Sequence, residues 1–304
     1  MHKIITLIFL MFLFSLTVGA NKIDSLRSDE DVVAFLKMID ENFRSEKYNK
    51  IDLRSTEMLR KEMSCNGIAE QWQVNNWEKT DFNQDGLTDL LVILYWYDYG
   101  VYAVIDKGNN NFRLETLTYN IYKKCELAKP VKLNDEQLLL IYQEKTSGGT
   151  GGQPVKMVYE TDTLIYKYGG FVEYNKLHPE YKIDSIQFRT GFCFGSCPVF
   201  TIRFDKTGNA EYDAGSYNPK QGKFTATLKK ETVEKIFGLL SYLNIKELPN
   251  DYKVPWTDDQ TSWLRVRFSD GSLKEIQDYG LRGSFGLRLL YNIFFDLRSS
   301  ESWK

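Results

Sequence analysis

Asp81-Phe-Asn83-Gln-Asp85-Gly86-Leu87-Thr-Asp89-Leu90-Leu-Val-Ile-Leu94 runs an acidic turn straight into an unbroken apolar segment, and its two halves decide what kind of fold surrounds it. Asp81, Asn83 and Asp85 alternate as hard oxygen donors, Gly86 follows where the chain must turn sharply, and Asp89 closes the loop. A divalent cation such as calcium needs about six to eight oxygens, which a chain supplies from alternate residues only by curling around the ion. Leu87 offers a backbone carbonyl to the same centre. The run Leu90–Leu94 is too short for a helix and reads as a buried strand.

Position twelve of the loop is Val92, where a helix–loop–helix calcium motif carries a bidentate Glu, and the flanks are strand-like. The stretch resembles instead the Asp-rich loops of integrin-type FG-GAP and VCBS repeats, in which D-x-[DN]-x-D-G-x-x-D leads directly into a strand. The resemblance covers residues 78–94 and implies a structural Ca2+ held by Asp81, Asn83, Asp85, Leu87 (carbonyl) and Asp89. Those families form propellers by repetition, and one copy is found here, so no propeller is expected. The competing reading is an ordinary hairpin turn, for which Asn, Asp and Gly are well suited. Three carboxylates within nine residues repel one another, which a plain turn does not require.

Upstream, Ser28-Asp-Glu-Asp31 can cap a helix whose apolar face is Val32, Phe35, Leu36, Ile39 and Phe43, and a second helix is expected near Arg54 to Met63. From Gln71 the pattern turns to strands broken by Asp-Gly, Lys107-Gly-Asn-Asn-Asn111 and Thr146-Ser-Gly-Gly-Thr-Gly-Gly152. The glycine tract lacks the Lys-Ser/Thr and the following helix of a phosphate loop and reads as a hairpin loop. Tyr95-Trp96-Tyr97-Asp-Tyr99 is either cross-strand packing or an exposed aromatic surface.

A boundary is expected between Tyr174 and Lys182. Beyond it, strands are expected at Ile183–Arg189, Val199–Phe204, Ala210–Ser216 and Lys223–Leu228, then a helix from Lys230 to Leu243. Strands Trp263–Phe268 and Leu273–Asp278 and a helix from Phe285 to Arg298 follow. The order ββββαββα predicts an antiparallel sheet with helices on one face. The whole chain thus reads as α+β, mainly antiparallel sheets with helices packed on one face, in two domains, 21–178 and 179–304.

Met1-His-Lys3, the apolar run Ile4 to Val18 and the small residues Val18-Gly19-Ala20 predict a secretory signal over residues 1–20. The apolar run is shorter than the ~20 residues of a spanning helix, and Asn21 stands where a lipoprotein would carry Cys. A periplasmic or secreted protein is expected, with no membrane span after cleavage. Without Lys3, 38 Lys and Arg face 41 Asp and Glu, a mildly acidic balance with no basic patch, which excludes nucleic acid as the expected partner. The 42% hydrophobic and 14% aromatic content excludes a disordered chain.

Cys65, Cys125, Cys193 and Cys197 are an even set in an exported chain and allow three connectivities; one pair per half, Cys65–Cys125 and Cys193–Cys197, is favoured. Phe192-Cys193-Phe-Gly195-Ser-Cys197-Pro198-Val-Phe200, with Gly208, Thr257-Asp258 and Asp278-Tyr279-Gly280, resembles an uncharacterised domain family of bacterial envelope proteins marked by C-x-G-x-C-P. The resemblance spans Ile183 to Arg298 and implies a domain without an assigned activity.

A redox role for Cys193 and Cys197 competes with a structural disulfide. Catalytic thiols gain their low pKa from a helix N-terminus or nearby cations, whereas Cys197-Pro198 runs into a strand. The single histidine outside the signal, His178, leaves no material for a histidine-based triad or a zinc site. Thr257-Asp258-Asp259 is the best acidic cluster, read as a turn. The expectation is a non-catalytic binding or scaffolding module with a protein or glycan partner at the envelope. The alternatives are a thiol-disulfide oxidoreductase using Cys193/Cys197 and a carboxylate-dependent hydrolase.

Overall fold

The computed structural model describes residues 21–44, 51–96, 98–118, 125–147 and 156–304. The signal segment and residues 148–155, which include most of the glycine tract, lie outside them, as does Tyr97. The fold is α+β and mainly antiparallel, as expected.

The chain opens with α1 (Lys22–Ser25) and α2 (Asp29–Ile39). Ser28 and Asp31 form the expected capping box: the Ser28 hydroxyl accepts from Asp31 N–H and the Asp31 carboxylate accepts from Ser28 N–H. Phe43 joins the apolar set from a separate 3-10 turn, Glu41–Arg44, because α2 ends at Ile39. The second expected helix is α3 (Thr56–Glu62), capped by Ser55, followed by the short α4 (Ile68–Gln71).

A first sheet orders β1 (Trp77–Thr80), β2 (Asp89–Trp96), β3 (Asp98–Asp106) and β4 (Phe112–Thr116) as neighbours, all antiparallel. Strand β2 explains its own apolar run. Leu90, Val92 and Leu94 pack on Ile23, Val32 and Leu36 of the helices. Leu91 and Ile93 pack the other way, with Leu139, Ile141 and Leu164 of a second sheet. A strand covered on both faces needs apolar residues at every position, not at alternate ones.

That second sheet is β5 (Glu126–Leu133), β6 (Glu136–Ser147), β7 (Lys156–Lys167) and β8 (Gly170–Glu173), again in sequential antiparallel order. Cys65 and Cys125 form a disulfide, with Cα atoms 5.6 Å apart, that ties the segment before α4 to the approach to β5. Tyr99 is buried and Tyr95 carries the Arg54 guanidinium at 3.4 Å, so these two members of the tyrosine stretch serve packing.

The third sheet has seven strands in the order β12-β11-β10-β9-β14-β15-β13. They are β9 (Ile183–Thr190), β10 (Phe200–Asp205), β11 (Asn209–Ala214), β12 (Gly222–Thr227), β13 (Asp251–Lys253), β14 (Thr261–Phe268) and β15 (Leu273–Tyr279). Helices α5 (Lys230–Tyr242) and α6 (Phe285–Ser300) cover one face, where Phe188, Ile202, Phe204, Leu264 and Val266 meet Ile236, Leu240, Leu290 and Phe294. Alternate residues on the opposite face, among them Arg203, Glu211, Arg265 and Arg267, are exposed. The sequence reading missed β13, a three-residue strand that pairs parallel to β15 at the sheet edge.

The parts are packed together across the expected boundary. Val172 of β8 belongs to the core under α5 and α6, and Phe285 of α6 belongs to the core between the first two sheets. Among the described residues, no helix is long and apolar enough to cross a membrane.

Candidate functional site

In the seven-stranded sheet, β9 ends, β10 begins, β11 ends and β14 begins at one end, so the connecting loops gather there. The longest of these, residues 191–199, contains the cysteine motif. Its base is closed by two buried side chains. The Thr190 hydroxyl donates to the Pro198 carbonyl at 2.7 Å and accepts from Phe200 N–H at 3.1 Å. From the start of β14, the Gln260 amide donates to the carbonyls of both Gly191 and Pro198 at 2.8 Å.

The tip is then stapled by Cys193–Cys197, whose Cα atoms are 5.8 Å apart. Gly195 lies between them at φ 150°, a conformation open to glycine and strained for other residues. Neighbouring loops brace the structure: Phe194 N–H donates to the Asp258 carbonyl at 3.1 Å, and Val199 N–H to the Ser216 carbonyl at 2.9 Å.

What this bracing presents is aromatic. Phe194 is 88% exposed and Phe192 70%, with Tyr217 at 57% and Trp256 at 42% on the two bracing loops. The only other aromatic side chain so exposed among the described residues is Tyr159. Single exposed apolar residues are ordinary on any surface, whereas these four aromatics lie on loops at one end of the same sheet. The Thr257-Asp258-Asp259 cluster lies here as part of a turn, with Asp259 accepting from the Trp256 indole N–H at 3.0 Å.

Asp278, near the end of β15, is fully buried and accepts from Arg282 N–H and Gly283 N–H, and burial pushes its carboxyl up from the usual range. It holds the turn that leads into α6. His178 is exposed beside the Tyr242 ring, 5.0 Å between centroids.

The acidic loop is closed by its own hydrogen bonds. Asp81 accepts from Asp85 N–H and Gly86 N–H, Asn83 from Asp85 N–H, and Asp85 from Leu87 N–H. Asp89 turns inward, fully buried, and each of its oxygens accepts one backbone N–H at 2.8 Å, from Phe82 and from Asp106. Desolvation raises its pKa to about 7, against the pull of those two donors, with the negative charges of Asp81 and Asp85 adding to the rise. Among the described residues, no group of three or more His, Cys, Asp or Glu side chains is placed to hold a metal ion.

Residues 184–298, which contain the stapled loop and all but the outermost residues of the sheet and its two helices, match the family model of a domain of unknown function, DUF6438. The Asp-rich loop lies outside the matched segment. No curated protein and no solved structure matches the chain.

Proposed function

We propose that this chain is an exported, non-catalytic binding module that engages a protein or glycan partner at the cell envelope through the aromatic end of its seven-stranded sheet. The observation that carries this reading is the exposure of Phe192 and Phe194 on a loop that is closed at its base and stapled at its tip. A pre-organised loop spends little of its binding energy on ordering. Burying one phenylalanine contributes about 1.5–3 kcal/mol, and aromatic anchors of this kind dominate interface energetics.

The test uses the wild type and a Phe192→Ser/Phe194→Ser variant as baits against an envelope extract, with circular dichroism confirming that both are folded. A component retained by the wild type and lost by the variant supports the reading. Identical retention by both baits overturns it. The oxidoreductase alternative is separated by the Cys193–Cys197 potential: below about −300 mV fits a staple, and near −200 mV fits exchange chemistry.

A structural Ca2+ at the acidic loop is a second proposal, supported by the spacing of Asp81, Asn83, Asp85 and Gly86. Of the five ligands the loop spacing predicts, Asp81, Asn83, Asp85 and the Leu87 carbonyl stay in the proposal, whereas Asp89, whose two oxygens each accept a backbone N–H in the interior, is given the role of bracing the loop. A melting temperature raised by CaCl2 and restored by EDTA supports it, and indifference to both removes it.

A further inference from the structure

On the uncovered face of the seven-stranded sheet, away from the aromatic end, lies an open cleft of about 880 Å³. Its floor is built by cross-strand register. Arg203 of β10 and Arg265 of β14 sit on either side of Gln187 of β9, and Arg267 sits beside Ser185 in the next row. Lys304 adds a fourth cation on the wall, where its backbone pairs with Thr225 of β12.

Three acids also line the cleft, Asp205, Glu211 and Glu301, but the register positions between the arginines are the neutral Gln187 and Ser185. Glu211 pairs with Arg203 from the β11 side at 2.9 Å, and Glu275 pairs with Arg265 from the β15 side. Both pairs are more than half exposed, so each contributes little and can be exchanged for a better partner. Asp205 is held by its own turn, accepting from the N–H groups of Thr207 and Asn209. Asp184, the acid whose charge senses Arg267, is occupied by Lys206 and Ser269. Arg267 and Lys304 have no ion-pair partner among the described residues.

We infer that this cleft is a binding site for a small polyanion, a ligand whose phosphoryl or carboxylate groups sit over Gln187 and Ser185 between the guanidinium groups of Arg203, Arg265 and Arg267. Guanidinium forks suit such oxygens because they donate two parallel hydrogen bonds. The Gln187 amide and the Ser185 hydroxyl supply neutral donors at the floor. The volume falls in the range of small-ligand sites, ~300–1,000 Å³. The site is independent of the aromatic loop, so either can fail without the other.

Isothermal titration of the full chain at low salt, with pyrophosphate and with citrate as probes, tests this inference. The expected result is saturable one-to-one binding of at least one probe, weakened about tenfold or more by Arg267→Gln. Arg189→Gln, on the same face but outside the cleft, leaves the affinity unchanged. Tighter binding of pyrophosphate assigns a phosphoryl ligand, and tighter binding of citrate a carboxylate ligand. Absence of saturable heat with both probes overturns the inference, as does equal weakening by Arg189→Gln and Arg267→Gln, which would mean diffuse attraction. Unchanged melting temperatures of both variants confirm that folding is not what is being read.

Discussion

The Glu173 carboxylate caps α6, accepting the backbone N–H of Phe285 at 2.5 Å across a sequence separation of 112 residues. A second oxygen accepts from Gly286 N–H at 3.0 Å. The end of the second sheet thereby anchors the start of the helix that covers the third. Negative charge at a helix N-terminus is favourable both as a hydrogen-bond acceptor and against the helix dipole. Glu173→Ala is expected to lower stability by about 1–2 kcal/mol, read as a shift in urea midpoint. A midpoint unchanged within error would mean that the cap contributes nothing.

Gln260 is expected to matter more than any aromatic residue for the shape of the cysteine loop. Gln260→Leu keeps the volume but leaves the Gly191 carbonyl without its donor, at a cost of about 1–3 kcal/mol. Pro198 keeps the Thr190 hydroxyl as a donor. Hydrogen exchange should show the loss of protection concentrated at residues 191–199 and 258–260. A loss spread evenly over the sheet would contradict a local role.

The two disulfides should differ in their effect on stability. In the chain-entropy picture, the bridge spanning 60 residues contributes about 4 kcal/mol and the one spanning 4 residues about 2. Cys65→Ser/Cys125→Ser should therefore melt well below Cys193→Ser/Cys197→Ser, with differential scanning calorimetry as the measurement. The reverse order would place the weight on the small loop.

Asp89 gives stability a pH dependence of definite sign. Its folded-state pKa, about 7, lies above that of an unfolded aspartate, so between about pH 4 and 7 the native state holds a proton that the unfolded chain has released. The stabilisation is complete below the unfolded value and is lost as pH rises towards 7, at up to ~1.4 kcal/mol per pH unit. Asp89→Asn should remove this component from a series of urea titrations between pH 4 and 8. A wild-type slope that survives the substitution would locate the proton elsewhere.

Most elements of the third sheet were legible because they have one buried face, so period-two and period-3.6 patterns stand out: β14 alternates Ser262, Leu264, Val266, Phe268 inward, and α6 buries Leu287, Leu290 and Phe294. The cysteine pairing was legible from position in the chain. Strand β13 was not, since three residues with a single partly buried side chain, Tyr252, carry no periodic signal and owe their conformation to β15. Neither the joint hold of Thr190 and Gln260 on the loop nor the convergence of Arg203, Arg265 and Arg267 was legible, because each depends on strand order, which one sequence does not print. For the acidic loop, the ligand-like spacing was visible, but the inward turn of Asp89 towards Asp106 was not; it is a contact made only once β2 and β3 pair.

Thr225 and Lys304 exchange two backbone hydrogen bonds, and Trp303 between them and α6 is buried against Tyr212. The outer rim of β12 is thus occupied by the chain itself along part of its length. Clipping residues 303–304 would bare main-chain donors and acceptors and simultaneously open an apolar gap next to them. Such a rim is a template for pairing one molecule with the next, and residues 303–304 shield this stretch of β12 from that pairing.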